Sequence, residues 1–357
     1  MMLPLRPVLV TTGADDVVLS APWDVLASES STQGEAGAPS EKNGEKLASN
    51  ELEHYHDTVL LQEAVHFMTP GPDKVLVDGT LGGGGHTELM LENGAKVYGV
   101  DQDAEAREYA QRRLARFGDK FQAVPGNFAD VVTLLPELGE EKVDGILVDI
   151  GVSSRQFDAA ERGFSFSKDG PLDMRMNPDE GLTAAEIVNT WSEAELARIF
   201  WQYGEERASR KIARHICSER KLKPFTRTTE LAQGIEKVMP RMGKKIHPAT
   251  KVFQALRIEV NDELGVLRRL LDTAKDVLKP GGRLVVISFH SLEDRMVKRH
   301  FKSVSQKEID KPEWPGPKPN PEYAFDLLTR KPVVASATEV KRNPRSRSAV
   351  LRAAVRV

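Results

Sequence analysis

The chain has one cysteine in 357 residues, Cys217, which excludes an intrachain disulfide and any multi-cysteine metal centre and fits a reducing compartment. Long apolar runs are missing too. No stretch reaches the ~18–20 consecutive apolar residues that a bilayer-spanning helix needs, so a cytoplasmic location is expected and a membrane one is not. Neither sign of charge prevails: 50 Lys and Arg stand against 53 Asp and Glu, a formal net charge of −3. That balance argues against a protein that coats polyanions indiscriminately and confines any nucleic-acid contact to local patches. The first fifty residues lack sustained periodicity, and Asp15, Asp16, Asp24, Glu29, Glu35, Glu41 and Glu45 outnumber their bases, the reverse of a targeting peptide. Residues 1–53 are therefore expected to be a disordered extension.

What remains is ordinary for a folded protein, at 40% hydrophobic and 29% charged residues, and is long enough for two folded units. An amphipathic stretch at 59–67 stops at Pro70-Gly71. Short apolar strands are then predicted at 74–78, 96–100, 121–124 and 145–150, with helix-period segments such as 104–117 between the early ones. This alternation implies a parallel sheet covered by helices on both faces. The rhythm then stops for about a hundred residues, where 183–221 and 228–240 read as helices, an insertion into the sheet-bearing unit. A helix over 260–278, stopped by Lys279-Pro280-Gly281-Gly282, precedes a fifth strand at 283–288. Residues 348–357 alternate as an edge or antiparallel closing strand, and 312–321 read as a proline-rich surface loop.

The most informative stretch is Val75-Leu-Val-Asp-Gly-Thr-Leu-Gly-Gly-Gly-Gly-His86: a strand ends in an acid, turns through glycines and enters a helix. Glycines there let backbone approach a ligand closely. Asp101, about twenty residues beyond, ends the next strand where a carboxylate can accept both hydroxyls of a ribose. A nicotinamide dinucleotide would use the same geometry, but a G-x-G-x-x-G pattern from Gly82 fails at Thr87, and one from Gly79 fails at Leu81. Asp78, four residues before Gly82, suits the acidic start of a methyltransferase glycine motif. Gly126-Asn127-Phe128 follows the third strand and offers Phe128 as an aromatic face for adenine, against the alternative of core packing. Asp149 ends the fourth strand, at the carboxyl edge where open α/β sheets bind ligands.

With these residues the chain resembles the bacterial RsmH (MraW) family, the small-subunit ribosomal RNA cytosine-N4 methyltransferases. The likeness runs through Asp78 to His86, Asp149 to Gln156, Glu161-Arg-Gly-Phe-Ser-Phe166, Asp169-Gly-Pro-Leu-Asp-Met-Arg-Met176, Tyr203-Gly-Glu-Glu-Arg207, His247-Pro-Ala-Thr250, Phe253-Gln-Ala-Leu-Arg-Ile258, Ser288-Phe-His-Ser-Leu-Glu-Asp-Arg295 and Asn343-Pro-Arg-Ser-Arg-Ser348. It implies a Rossmann-like S-adenosylmethionine-dependent methyltransferase core, mostly parallel with an antiparallel last strand, at 54–155 and 247–357. It also implies a helical substrate-recognition domain inserted at 156–246. Carried onto matching positions, the family's cofactor contacts fall on Gly84, Gly85, His86, Asp101, Phe128, Asp149 and Gln156; His86 and Gln156 come from the resemblance alone. The implied reaction is methyl transfer to the N4 amine of a cytidine in 16S RNA, presented as free RNA or as the assembled small subunit, with no obligatory protein partner.

Methyl transfer from a sulfonium is an in-line displacement in which alignment supplies much of the acceleration. The amine's lone pair is delocalised into the cytosine ring, so an acceptor holding one N–H is expected. Asp149, a backbone carbonyl near Gly151, or the hydroxyls of Ser153 and Ser154 are all candidates, and the catalytic residue stays unassigned. A base must leave its stack to be reached, and Phe164, Phe166, Phe289 and His290 are candidates to receive it, each against a packing alternative. Arg207, Arg210, Lys211, Arg214, Arg220, Lys221, Lys223, Arg241, Lys244, Lys245, Lys251 and Arg257 could grip phosphates. His247 and His290 lack an evident ligand set, so no metal is expected and hydrogen-bonding roles are preferred.

Overall fold

The computed structural model describes residues 58–241 and 246–357. The 1–53 extension and the basic pair Lys244 and Lys245 lie outside the described residues. Five parallel strands, β1 (Val75–Asp78), β2 (Lys96–Asp101), β3 (Phe121–Pro125), β4 (Val143–Asp149) and β5 (Leu278–Ser288), stand in the order β3-β2-β1-β4-β5. A short pair, β6 (Glu308–Ile309) and β7 (Lys318–Pro319), forms a separate ribbon. β8 (Phe325–Leu327) and β9 (Val333–Val334) then flank β10 (Val350–Arg356), which runs antiparallel to β5. This is the anticipated Rossmann-like sheet with its antiparallel last strand.

Both faces of the sheet are buried, as continuous rather than alternating apolar strands require. One face packs Val77, Val100, Ile146, Val148 and Val286 against the helix Glu263–Val277. That helix buries Val266, Leu267, Leu270, Leu271, Ala274 and Val277, a spacing of three and four that keeps one stripe inward. The other face packs Leu76, Val97, Leu147, Val285 and Ile287 under Val65 and Met68 of the first described helix, Leu61–Met68, and under Leu60, which caps it.

Between β4 and β5 the chain builds a helical region with its own apolar core, from Phe164 through Ile187, Phe200, Ile216 and Leu231. Val252, Phe253, Ala255 and Leu256 of the helix Thr250–Val260 join that core, although the sequence places them beyond the insertion. The helical stretch expected over 183–221 is three helices: Ala184–Thr190, Glu193–Gln202 and Ser209–Glu219. Ser192 starts the second with a capping box to Glu195. Gly204 ends it where backbone passes backbone, since a Cβ there would lie 2.5 Å from the Lys251 carbonyl oxygen. The helix stop expected at 279–282 is present, since the helix ends at Val277, but the turn itself is absorbed into β5, whose register against β4 shifts between Val143 and Gly145, a bulge at the start of the strand. No helix among the described residues is long and apolar enough to cross a membrane.

Candidate active site

The strand order reverses between β1 and β4, and open α/β sheets hold ligands in the crevice at such a point. A cavity of about 500 Å³ lies there, bordered by Gly85, His86, Asp101, Phe128, Asp149 and Gln156. Its floor is the turn after β1. Asp78 is buried and accepts the Thr87 hydroxyl at 2.7 Å and the Thr80 amide at 3.2 Å. It therefore braces the turn from beneath, and burial holds its pKa above the ordinary value. Gly79 has no room for a side chain, because a Cβ would meet Phe128 Cβ at 2.6 Å and Val148 Cγ1 at 2.8 Å. Gly84, placed among the cofactor contacts by the resemblance, does not border the cavity. It caps the helix Gly85–Glu92 in the left-handed region, φ 77°, and its hydrogens face Leu114.

Asp101 closes β2 with one carboxylate oxygen on the Gly82 amide and the other on the Asp103 amide, each at 2.9 Å. Both oxygens keep further lone pairs, as two ribose hydroxyls would need. Burial raises its pKa to about 6, against the lowering effect of those two amides. Asp149 ends β4 with its amide donating to Thr80 Oγ1 at 2.7 Å, and its Oδ1 is buried with no hydrogen-bond partner. Burial first, then the nearby charges of Asp78 and Glu293, push its pKa well above the ordinary value.

Gln156 borders the cavity, but its polar atoms are engaged within the protein. Oε1 accepts the Ser153 amide at 3.1 Å, and Nε2 donates to Asp103 Oδ2 at 3.0 Å. Arg162 also binds that oxygen, at 2.8 Å. Burial would raise the pKa of Asp103, yet these donors and the Arg162 charge outweigh it and leave the pKa low. The loop after β4 is thereby tied to the loop after β2. His86 is buried, with Nε2 donating to the Val59 carbonyl at 3.1 Å, so it fixes the segment entering the first described helix.

The aromatics separate cleanly. Phe289 borders the cavity opposite Gly151. Phe164 is buried in the insertion's core, and Phe166 stacks on Phe253 and His247 at 4.7 and 4.8 Å between ring centres; both are packing residues. Several of the basic residues are also committed. Arg220 donates to the Val188 carbonyl, Lys211 to the Val238 carbonyl, and Lys223 pairs with Glu230. Arg257 is no phosphate grip: it makes a two-bonded pair with Glu263, at 2.7 and 2.8 Å, on the cavity wall. Wall residues that the sequence did not single out come from the far ends of the chain's loops: Asn261 and Glu263 at the start of the helix Glu263–Val277, and Arg345 and Arg347 from the segment before β10. Residue-type patterns carry no signal for these, because their place depends on where the insertion returns. The Asn343–Ser348 block of the resemblance was the available pointer.

The residues fit a nucleoside-bearing cation: the cavity is of small-molecule size, a carboxylate stands where a ribose diol would be held, and Asp149 Oδ1 is an orphaned buried acceptor. Comparison with known proteins agrees. The family model described as the MraW methylase family matches residues 53–357. The chain is 51% identical over 303 residues to Ribosomal RNA small subunit methyltransferase H of Syntrophotalea carbinolica, covering 84% of this chain and 96% of the relative. It is likewise 51% identical over 304 residues to the protein of that name from Geobacter sulfurreducens, with 84% and 98% covered. The counterpart in Carboxydothermus hydrogenoformans is 48% identical over 309 residues, with 85% and 98% covered. The chain is thus a member of the MraW methylase family, an S-adenosylmethionine-dependent methyltransferase.

Proposed function

We propose that the protein transfers a methyl group from S-adenosylmethionine to the exocyclic N4 amine of a specific cytidine in small-subunit (16S) ribosomal RNA, and that Asp149 is the acceptor that holds the amine. The observation that carries this reading is the buried, unpartnered Asp149 Oδ1 at the end of β4. When bound, S-adenosylmethionine supplies an electrophilic methyl carbon on a sulfonium. Attack by the amine on that carbon would release the donor as a neutral thioether, and the surplus N–H proton would pass to the Asp149 carboxylate and on to solvent. An oxygen accepting that N–H favours the transition state, in which nitrogen acquires positive charge. The positive charge of the donor offsets the repulsion that Asp149 feels from Asp78 and Glu293 and so favours its carboxylate form.

Asp101 holds the ribose and Phe128 forms an adenine face in this reading, while Gly85 and His86 line the methionine and ribose region. Gln156 acts through Asp103 to set the wall. Phe289 receives the flipped base. The relatives' names support a small-subunit RNA substrate, and the insertion between β4 and β5 supplies a surface beside the cavity on which to recognise it.

The experiment is to incubate the protein with methyl-labelled cofactor and small subunits, or their free RNA, from cells lacking this enzyme, and to identify the labelled nucleoside by mass spectrometry. Label in N4-methylcytidine, reduced at least ~10²-fold by Asp149→Ala, is expected. Label in another nucleoside would overturn the substrate assignment. Undiminished turnover by Asp149→Ala would remove the acceptor.

A further inference from the structure

Behind the cavity wall, the helix Glu263–Val277 and the helix Ser291–Ser305 begin side by side, and three ligand-type side chains meet there. Glu263, His290 and Glu293 each direct one ligand atom into a common space, all three within 4.8 Å of one another. Glu293 is fully buried and Glu263 nearly so, at 0% and 5% exposure. Glu293 uses Oε2 to accept the amides of Phe289 and His290, at 2.9 and 3.2 Å. That leaves Oε1, which has no hydrogen-bond partner; nor has His290 Nε2. These two atoms are 2.9 Å apart but misaligned for a hydrogen bond. His290 Nδ1 faces the Glu293 amide as a weak helix cap, an arrangement that fixes the imidazole with Nε2 toward the carboxylates.

We infer that Glu263, His290 and Glu293 form a site for a single first-row divalent cation of the zinc or manganese type. Buried polar atoms are rarely left unpartnered, and here two of them lie side by side near a Glu263 oxygen, so that one cation beside the three could take all of them as ligands. One imidazole and two carboxylates make a mixed nitrogen and oxygen donor set suited to these ions, with a fourth position for water. Ligands held ~2.0–2.2 Å from zinc stand roughly 3.3 Å from each other, so His290 and Glu293 are already near ligand spacing and a small side-chain rotation brings in Glu263. Charge points the same way. Glu293 repels the Asp149 carboxylate, and the guanidinium that faces the two glutamates is that of Arg257. The Arg257 pair with Glu263 then serves to orient a ligand, the usual arrangement around bound metals. The ion would clamp the helix that returns from the insertion to the helix that follows β5, one residue beyond Phe289 of the cavity wall.

Full-length protein, stripped with a chelator, is titrated calorimetrically with Zn²⁺ alone and with Mn²⁺ alone, without S-adenosylmethionine. One ion per chain is expected, with affinity reduced roughly 100-fold in Glu293→Gln, which keeps the amide-capping oxygen, and in His290→Asn, which keeps a helix-capping acceptor. His247→Ala should bind as the wild type does. Added Zn²⁺ should raise the melting temperature of the wild type and not of the first two variants. The visible spectrum of Co²⁺-loaded wild-type protein tests coordination without any substitution. Absence of stoichiometric binding, or binding that survives Glu293→Gln and His290→Asn, would overturn the site and leave His290 and Glu293 as an ion pair only.

Discussion

Asp101 is a residue whose charge state solution conditions can reach. Its pKa, about 6 when folded, lies above the ordinary 3.8 because burial disfavours the charge. A group raised on folding stabilises the folded state below its unfolded pKa, and that contribution is lost as pH rises through the folded value. The ligand-free protein should therefore resist denaturant better at pH 5 than at pH 7, through this residue by roughly 1–3 kcal/mol. Asp101→Asn should flatten that difference. Cofactor affinity should run the opposite way, falling as pH drops below 6 because a ribose diol is better held by the carboxylate. Denaturant curves and titration calorimetry at both pH values check the pair of slopes; equal slopes in wild type and Asp101→Asn would remove Asp101 as their source. A second residue-scale expectation concerns Gly79. An added methyl must displace Phe128 or Val148, so Gly79→Ala should weaken cofactor binding at least tenfold and destabilise the fold by about 1–3 kcal/mol. The places of Asp101 and the glycine turn beside the cavity were legible in the sequence because both follow from local pattern, a strand ending in an acid and a turn that needs glycine. Arg257 was misread for the complementary reason: nothing in a string of residues distinguishes an arginine facing solvent from one buried against Glu263, six positions on.

At the scale of elements, the link from Ser153 through Gln156 to Asp103 joins two loops that belong to different strands. Gln156→Ala breaks both bonds while leaving the strands intact. The expected result is a several-fold rise in KM for S-adenosylmethionine, a melting temperature within a few degrees of wild type, and little change in kcat; an unaltered KM would show the tie to be dispensable. The strands themselves were readable, since short apolar runs bounded by turns admit few alternatives. Helix boundaries within 183–221 were not. Apolar periodicity continues across Ser192 and Gly204, and the break at Gly204 is enforced by the Lys251 carbonyl, which arrives from a different helix. The segment 279–282 was readable as the stop of the preceding helix, which ends at Val277, but pairing with β4 decided that the turn would become a bulge in β5.

At the scale of the molecule, the insertion's core is distinct from the two that sandwich the sheet. Phe200 is fully buried at its centre. Phe200→Ala should cost about 3–5 kcal/mol, seen as a lower denaturation midpoint, and should impair RNA methylation more than cofactor binding. Equal loss of both would mean that the insertion and the sheet unfold as one cooperative unit. The helical stretch between β4 and β5 was legible in the sequence as a break in the strand rhythm, yet the core's reach into the helix Thr250–Val260 depended on packing that periodicity alone does not report.

The position of β10 bears on how the molecule is made. β5 lies inside the sheet, but the strand that covers its far edge is synthesised much later, Ser288 meeting Val350 62 positions on. In the interval a nascent chain presents Leu284, Val285, Val286 and Ile287 along an unpaired strand edge, the kind of edge that recruits strands from other chains. Chains ending before residue 350 are expected to aggregate rather than to accumulate as a trimmed, soluble enzyme, so ribosomes that stall late on this message would yield insoluble product.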